Sequence, residues 1–301
     1  FYHGVPFSQP RDDFPGPVFY ASTHIGETNT WWPHLHYLNE YVSRVQVALQ
    51  KNRFDPDVLL YFPIHDLWSY IPGSIDLLQF CRVGNVDDWF KGSARLTWET
   101  ANVLLDNGWQ FDYVSDNIIK EFVTTKNNDI IVNDMQYRAL ILAGTQFMEE
   151  NTIRKIKKLA DDGVYVIFIK NVPSIIERGN PEKMVKEAGN EVYEKFFRKS
   201  LDKSVFVING VEELPGLLNE LNIKNEKLPE FGLRFIRLKN SGDKLYFLKN
   251  FKNENVKKWI NLNSSGKSVV IGNPLTGEIK KVKIEKEKSG ISIYLNIEPL
   301  S

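Results

Sequence analysis

Five short, largely apolar runs dominate the middle of the chain: Val58 to Phe62, Phe111 to Val114, Ala139 to Ala143, Val164 to Phe168 and Val205 to Ile208. All but Phe111 to Val114, which holds Asp112, are free of charged breaks, and Val58 to Phe62 and Ala139 to Ala143 need cover on both faces, which is the condition of a strand inside a parallel sheet. Helical stretches separate them. Leu96 to Asn107 stops at Gly108, Glu149 to Asp162 stops at Gly163, and a further helix is expected around Pro181 to Lys199. Strand and helix in alternation require crossover connections, and right-handed crossovers lay the helices on both faces of the sheet. Residues 55–230 therefore read as a parallel α/β domain.

The pattern changes on either side of this domain. Before it, residues 1–54 hold a loop with Pro6, Pro10, Pro15 and Pro17, then Thr30-Trp31-Trp32-Pro33, then apolar Leu35, Leu38, Val42, Val45 and Leu49 at helical spacing. After it, residues 231–301 hold short segments in rough apolar/polar alternation, broken by Ser241-Gly242-Asp243, Ser265-Gly266, Asn273-Pro274 and Ser289-Gly290. Such turn residues between alternating segments predict a small antiparallel β-sandwich. The expected fold class is α/β plus β.

Charge and cysteine content narrow the partners. The 38 basic and 38 acidic residues cancel, which argues against non-specific attraction to nucleic acid or an anionic membrane. From Phe231 onward, 14 basic residues face 6 acidic ones, but the lysines are spread through strand-like segments and read as a solvated surface. Cys81 is the one cysteine, so no intrachain disulfide or multi-cysteine zinc site can form. No apolar run is long enough to span a bilayer.

Familiar catalytic signatures are missing. No G-x-G-x-x-G follows a strand, and Gly266-Lys267-Ser268 lacks the glycine of a phosphate loop, since Asn261 stands five residues before Gly266. There is no G-x-S-x-G elbow and no H-E-x-x-H helix. His34 and His36, two apart at a helix start, point to different faces and do not suggest a shared metal. His65-Asp66 follows the first strand of the α/β domain, at the edge where open parallel sheets hold ligands. That position leaves open a small-molecule site as well as a structural brace.

The N-terminal segment carries the richer chemistry. Tyr2, His3, His24, Glu27, Asn29, Trp31 and Trp32 combine flat aromatic faces with imidazole, amide and carboxylate groups. Sugars present apolar C–H faces rimmed with hydroxyls, and this mixture suits them. Glycoside hydrolysis also needs two facing carboxylates, about 5 to 9.5 Å apart. Glu27 is the only nearby candidate, because Asp12 and Asp13 read as turn residues, and no convincing pair is found.

A series of segments resembles large bacterial glycoside hydrolases related to the α-L-rhamnosidases of glycoside hydrolase family 106. They are Phe1-Tyr2-His3-Gly4, Phe19 to His24, Asn29 to Trp32, Leu38 to Arg44, Asp57 to Trp68, Phe111 to Asp116, Tyr137 to Leu142 and Asn273 to Gly277. The resemblance implies that residues 1–54 end a (β/α)₈ catalytic barrel, with its last strand near Tyr2-His3-Gly4 and its last helix from about Leu35 to Leu49. It implies a glutamine-amidotransferase-like (flavodoxin-like) domain over 55–230, without the cysteine nucleophile because Gly144-Thr145-Gln146 follows the strand, and an accessory β-sandwich over 231–301. His3 and Trp31 become expected sugar contacts and Glu27 a tentative one.

The same resemblance makes carbohydrate the expected partner and places the catalytic pair, and a calcium associated with the family, on a barrel segment upstream of Phe1. No cofactor is expected in this chain itself. The chain has no initiator methionine, and on this reading it is the C-terminal portion of such an enzyme, inactive alone, from an exported protein. A non-catalytic carbohydrate-binding or assembly module remains the alternative, and a small-molecule site beside Ile64-His65-Asp66 a third.

Overall fold

The computed structural model describes residues 11–13, 16, 25–27, 29–70, 94–176, 185–287 and 290–299, with backbone only at 68–70. At its centre lies a five-stranded sheet built from β1 (Val58–Tyr61), β2 (Phe111–Val114), β3 (Ala139–Ala143), β4 (Tyr165–Ile169) and β5 (Val205–Ile208). Every pairing is parallel and the order is β5-β4-β3-β1-β2. The chain lays β2 on one side of β1 and then crosses to build the other side, so β1 and β3 flank the switch point.

The apolar runs explain the layering. All four residues of β1 and all five of β3 are buried. Alternate side chains feed two separate apolar clusters, one per face. Leu59, Leu140, Leu142 and Phe168 pack with Ile153, Ile156 and Leu159 of the helix Glu150–Asp161. Leu60, Ile141 and Ile169 pack with Leu104 of the helix Arg95–Asp106 and with Leu214 and Leu218. Truncating such a side chain to alanine costs about 2–5 kcal/mol, so these clusters carry much of the fold's stability. Both helices end where glycine allows a left-handed turn, at Gly108 and Gly163, each with φ +87°. A Cβ on Gly108 would lie 1.9 Å from the Glu226 carbonyl oxygen, which excludes any side chain there.

Two stretches depart from the sequence reading. Residues 123–137 form an antiparallel meander of Val123–Lys126, Asp129–Val132 and Met135–Tyr137. Asn127 and Asn128 both take positive φ (51° and 65°), the geometry of a two-residue hairpin turn. The helix expected at 181–199 is present over 189–200, as a helical turn, Gly189–Val192, that widens over Tyr193–Phe197 and tightens over Arg198–Ser200, but Val185–Glu187 before it is a short strand. Pairing of Val185–Glu187 with Ser174–Ile176 consumes the start of that segment. Gly189 then packs so tightly that a Cβ would meet the Val172 carbonyl oxygen at 2.2 Å.

The C-terminal strands are antiparallel, as the alternation predicts. Leu233–Asn240 and Asp243–Asn250 form a hairpin around Ser241-Gly242. Val256–Leu262, Gly290–Ile297 and Ile284–Glu287 form a three-stranded sheet, and Val269–Gly272 pairs with Ile279–Val282. The chain clusters into two compact units, 1–53 with 268–283, and 54–267 with 284–301.

A buried ion network ties the 233–250 hairpin to the N-terminal ends of β1 and β2. Arg237, 3% exposed, holds Asp55 (Nε to Oδ2, 2.9 Å), Asp57 (Nη2 to Oδ1, 2.6 Å) and Glu226 (Nη1 to Oε1, 3.3 Å). Asp57 also accepts the Gln110 N–H at 2.8 Å, and Glu226 accepts the Tyr246 hydroxyl at 2.8 Å and the Asn263 N–H at 2.9 Å. Burial lifts the Asp57 carboxyl to about 6 against the pull of Arg237. At Asp55 burial also works upward, but Arg237 and Lys239 outweigh it and hold the carboxyl below its usual range.

Candidate functional site

The N-terminal constellation is organised by Asn29. Its N–H donates to the Gly26 carbonyl at 2.9 Å, closing a turn with Glu27 near the tip, and its Oδ1 accepts the Trp31 N–H at 3.2 Å. Trp32–His34 then forms a short 3-10 turn in which Pro33 needs no N–H partner, and it runs into the helix Leu35–Gln50. Trp31 is half-buried, Glu27 is exposed and Trp32 is 37% exposed. His3 lies outside the described residues.

At the helix start, the imidazole of His36 sits 3.9 Å from the exposed Tyr37 ring, while His34 stacks on Tyr37 at 6.3 Å. His36 Nδ1 lies 3.0 Å from the Pro33 carbonyl oxygen. Among the described residues no group of three or more His, Cys, Asp or Glu is placed to hold a metal ion.

The same unit includes the turn Asn273 to Gly277. Arg44, midway along the helix, donates from Nη1 to the carbonyls of Pro274 (3.1 Å) and Leu275 (2.8 Å), and its Nη2 meets Glu40 at 2.7 Å. Gly277, at φ +77°, leaves room for the guanidinium, because a Cβ would stand 3.1 Å from Arg44 Nε. Asn273 Oδ1 accepts the Leu275 N–H at 2.9 Å and fixes the turn. Two motifs about 230 residues apart thus form one contact.

A second polar cluster lies at the C-terminal ends of β1, β2 and β3. Tyr61, the last residue of β1, donates its hydroxyl to Asp116 Oδ2 at 2.6 Å, and Thr152 donates to Asp116 Oδ1 at 2.7 Å. His65 Nε2 stands 3.5 Å from the same carboxylate. Burial works to raise Asp116, but His65, Tyr61 and Thr152 outweigh it and hold the carboxyl below its ordinary value. Burial works to lower His65, and the hydrogen bond and charge of Asp116 outweigh it and raise the imidazole. Asp66, 1% exposed, is pushed up to about 7 by burial, although its carboxylate accepts the Gln146 N–H at 2.9 Å.

This cluster falls at the switch point, where open α/β sheets hold ligands. Here Asp66 itself takes the backbone N–H groups that follow β3, and His65 is buried against Asp116. The arrangement braces three strand ends and stores protons near neutral pH. Sequence reading picked out His65-Asp66 but assigned Asp116 no role. Ser115-Asp116 follows β2 as Ile64-His65-Asp66 follows β1, and that shared position is the signal that could have found it.

Comparison with solved structures gives the fold class. A rhamnosidase from Novosphingobium sp. PP1Y matches over 93% of this chain and 25% of its own, with TM-score 0.66 and 14% identity. The GH42 beta-galactosidase Gan42B from G. stearothermophilus matches over 92% of this chain and 44% of its own, with TM-score 0.54 and 9% identity. Both likenesses concern the fold, a mixed α/β arrangement shared with glycoside hydrolases.

The chain belongs to glycoside hydrolase family 106: the family model described as alpha-L-rhamnosidase matches residues 67–286. A protein of Formosa agariphila named "Putative beta-glucuronidase" is 22% identical over 276 residues, 91% of this chain and 21% of that protein. The chain spans a fifth to a quarter of the length of these two relatives.

Proposed function

We propose that this chain works as part of a longer glycoside hydrolase of α-L-rhamnosidase type, acting on plant or bacterial polysaccharide. The family 106 match over residues 67–286 carries the reading. Residues 1–54 then close a (β/α)₈ barrel, with Trp31 as a sugar contact and Glu27 as the nearest carboxylate. The parallel domain is a scaffold of amidotransferase-like ancestry without a nucleophile, and the C-terminal strands are an accessory β-sandwich.

Hydrolysis on this view needs a carboxylate pair supplied by residues beyond these 301. The chain's small share of its relatives' lengths supports that division. A calcium, where the enzyme uses one, belongs with those residues too. The name of the Formosa protein makes a β-glucuronide the second substrate to examine.

The test is release of nitrophenol from aryl α-L-rhamnoside and aryl β-glucuronide by the 301-residue chain and by the full gene product. The full product should cleave the rhamnoside and the chain alone should not. Turnover by the chain would overturn the division of labour, and a full product active only on the glucuronide would overturn the substrate.

A further inference from the structure

A groove of about 780 Å³ follows edge strand β5 on the face carrying Val207. It is lined by Leu201 and Asp202 from ahead of the strand, by Lys170, Asn171 and Gln146 from just past the ends of β4 and β3, and by Asn190 and Tyr193. Its volume lies within the range of about 300–1,000 Å³ usual for small-ligand sites.

Three observations point to a ligand and to its kind. The polar groups of the groove are mixed: amides from Gln146, Asn171 and Asn190 supply both donors and acceptors, and Tyr193 supplies a ring face and a hydroxyl. The two formal charges, Lys170 and Asp202, cancel, so neither an anion nor a cation is favoured. Both of these residues hold left-handed backbone, φ +78° and +57°, uncommon for residues other than glycine and a feature that concentrates at functional sites.

The side chains that would read the ligand are already placed. Asn171 Nδ2 donates to the Thr145 carbonyl at 2.5 Å, which fixes its amide and leaves its Oδ1 to accept. The Ser174 hydroxyl takes the Gly189 N–H at 3.1 Å and tethers the wall that bears Asn190 and Tyr193. Gln146 and Asn190 are exposed.

We propose that this groove binds a neutral oligosaccharide segment, with its hydroxyls on the amides of Gln146, Asn171 and Asn190 and one sugar face against Tyr193. The sugar identity rests on the reading of the chain as part of a polysaccharide-degrading enzyme; the groove and its neutrality do not. Holding polymer here would keep substrate near the enzyme without chemistry at the groove itself.

The test is an amide chemical-shift titration of the 301-residue chain with L-rhamnose and with a neutral rhamnose-containing oligosaccharide, followed by calorimetry. Shifts are expected at 170–174, 189–193 and 201–207, stronger for the oligosaccharide, with affinity in the millimolar range. The double variant Gln146→Ala/Asn190→Ala, altered only at exposed side chains, should bind at least tenfold more weakly. Trp259→Ala, in the exposed Trp259 and Tyr294 pair, should bind normally.

No shift in the groove, undiminished binding by the double variant, or loss of binding on Trp259→Ala overturns the proposal. Preferential binding of a uronate over the neutral sugar overturns the claim of neutrality. If the full gene product cleaves rhamnosides while the groove stays silent, only the groove proposal falls.

Discussion

The two ends of strands β1 and β2 carry buried charge in opposite styles. At the N-terminal end, one guanidinium faces Asp55, Asp57 and Glu226, with a permanent charge that no accessible pH removes. At the C-terminal end, Asp116 is held by two hydroxyls and an imidazole, while Asp66 sits on backbone N–H groups. The first cluster is a clamp around a permanent charge, in which burial nonetheless lifts Asp57 to about 6, and the second a brace with no permanent cation, in which Asp66 is lifted to about 7. The two ends of one sheet thus differ in what holds their carboxylates, a fixed guanidinium at one and hydroxyls, an imidazole and backbone N–H groups at the other.

The largest expected effect breaks the clamp. Arg237→Met leaves Asp57 and Glu226 without their cation in a dry site, while Asp55 keeps Lys239 at 3.0 Å, and losing one partner of a buried ion pair costs about 3–5 kcal/mol. Urea unfolding should report a loss of that size, and a loss under 1 kcal/mol would show that the clamp is not buried as described.

The second effect belongs to the brace. The folded protein keeps the Asp66 proton up to about pH 7, whereas an unfolded aspartate releases it near 4. Its contribution to stability is therefore full below about pH 4 and is lost as pH rises to 7, by up to about 4 kcal/mol. His65, raised above its ordinary value, tilts stability in the same direction, while Asp116, held low, loses its share as pH falls. Asp57, lifted to about 6, adds a fall of the same sign, so Asp66→Asn should make the fall between pH 5 and 7.5 shallower without abolishing it, and an unchanged profile would remove Asp66 from the brace.

A smaller effect sharpens the contrast. Asp116→Asn keeps the shape but weakens the bonds to Tyr61, Thr152 and His65, at a cost of about 2 kcal/mol. It should also return the His65 imidazole toward its ordinary range, which a histidine titration by NMR would record.

Much of this frame was legible in the sequence. Five largely apolar runs identified the five parallel strands: in β1 and β3 burial on both faces leaves no polar position to blur the pattern, whereas β2, at the end of the sheet order, admits Asp112 and an exposed Tyr113. Gly108 and Gly163 marked the helix ends, since only glycine takes that turn without cost. The meander at 123–137 was not read: its turns use Asn127-Asn128 and Asn133-Asp134 instead of the stronger Asn-Gly signal.

The segment 181–199 was legible only in part. Helical turns do run from Gly189 to Ser200, but Val185–Glu187 is taken into a strand by its pairing with Ser174–Ile176. Trp31 and Glu27 could be picked out by residue type, but the role of Asn29 in fixing them appears only in coordinates. Arg237 and Glu226 carry no local signal, because their partners lie up to 182 residues away.

The order β5-β4-β3-β1-β2 also bears on synthesis. Strand β1, interior to the sheet, leaves the ribosome before the other four, yet one neighbour ends at Val114 and the other at Ala143. At roughly 5–20 residues per second, β1 waits about 4–16 s for its second partner. Through that interval Val58–Tyr61, buried at all four positions in the finished sheet, has an unpaired edge, which makes it the place where a chaperone would first be needed.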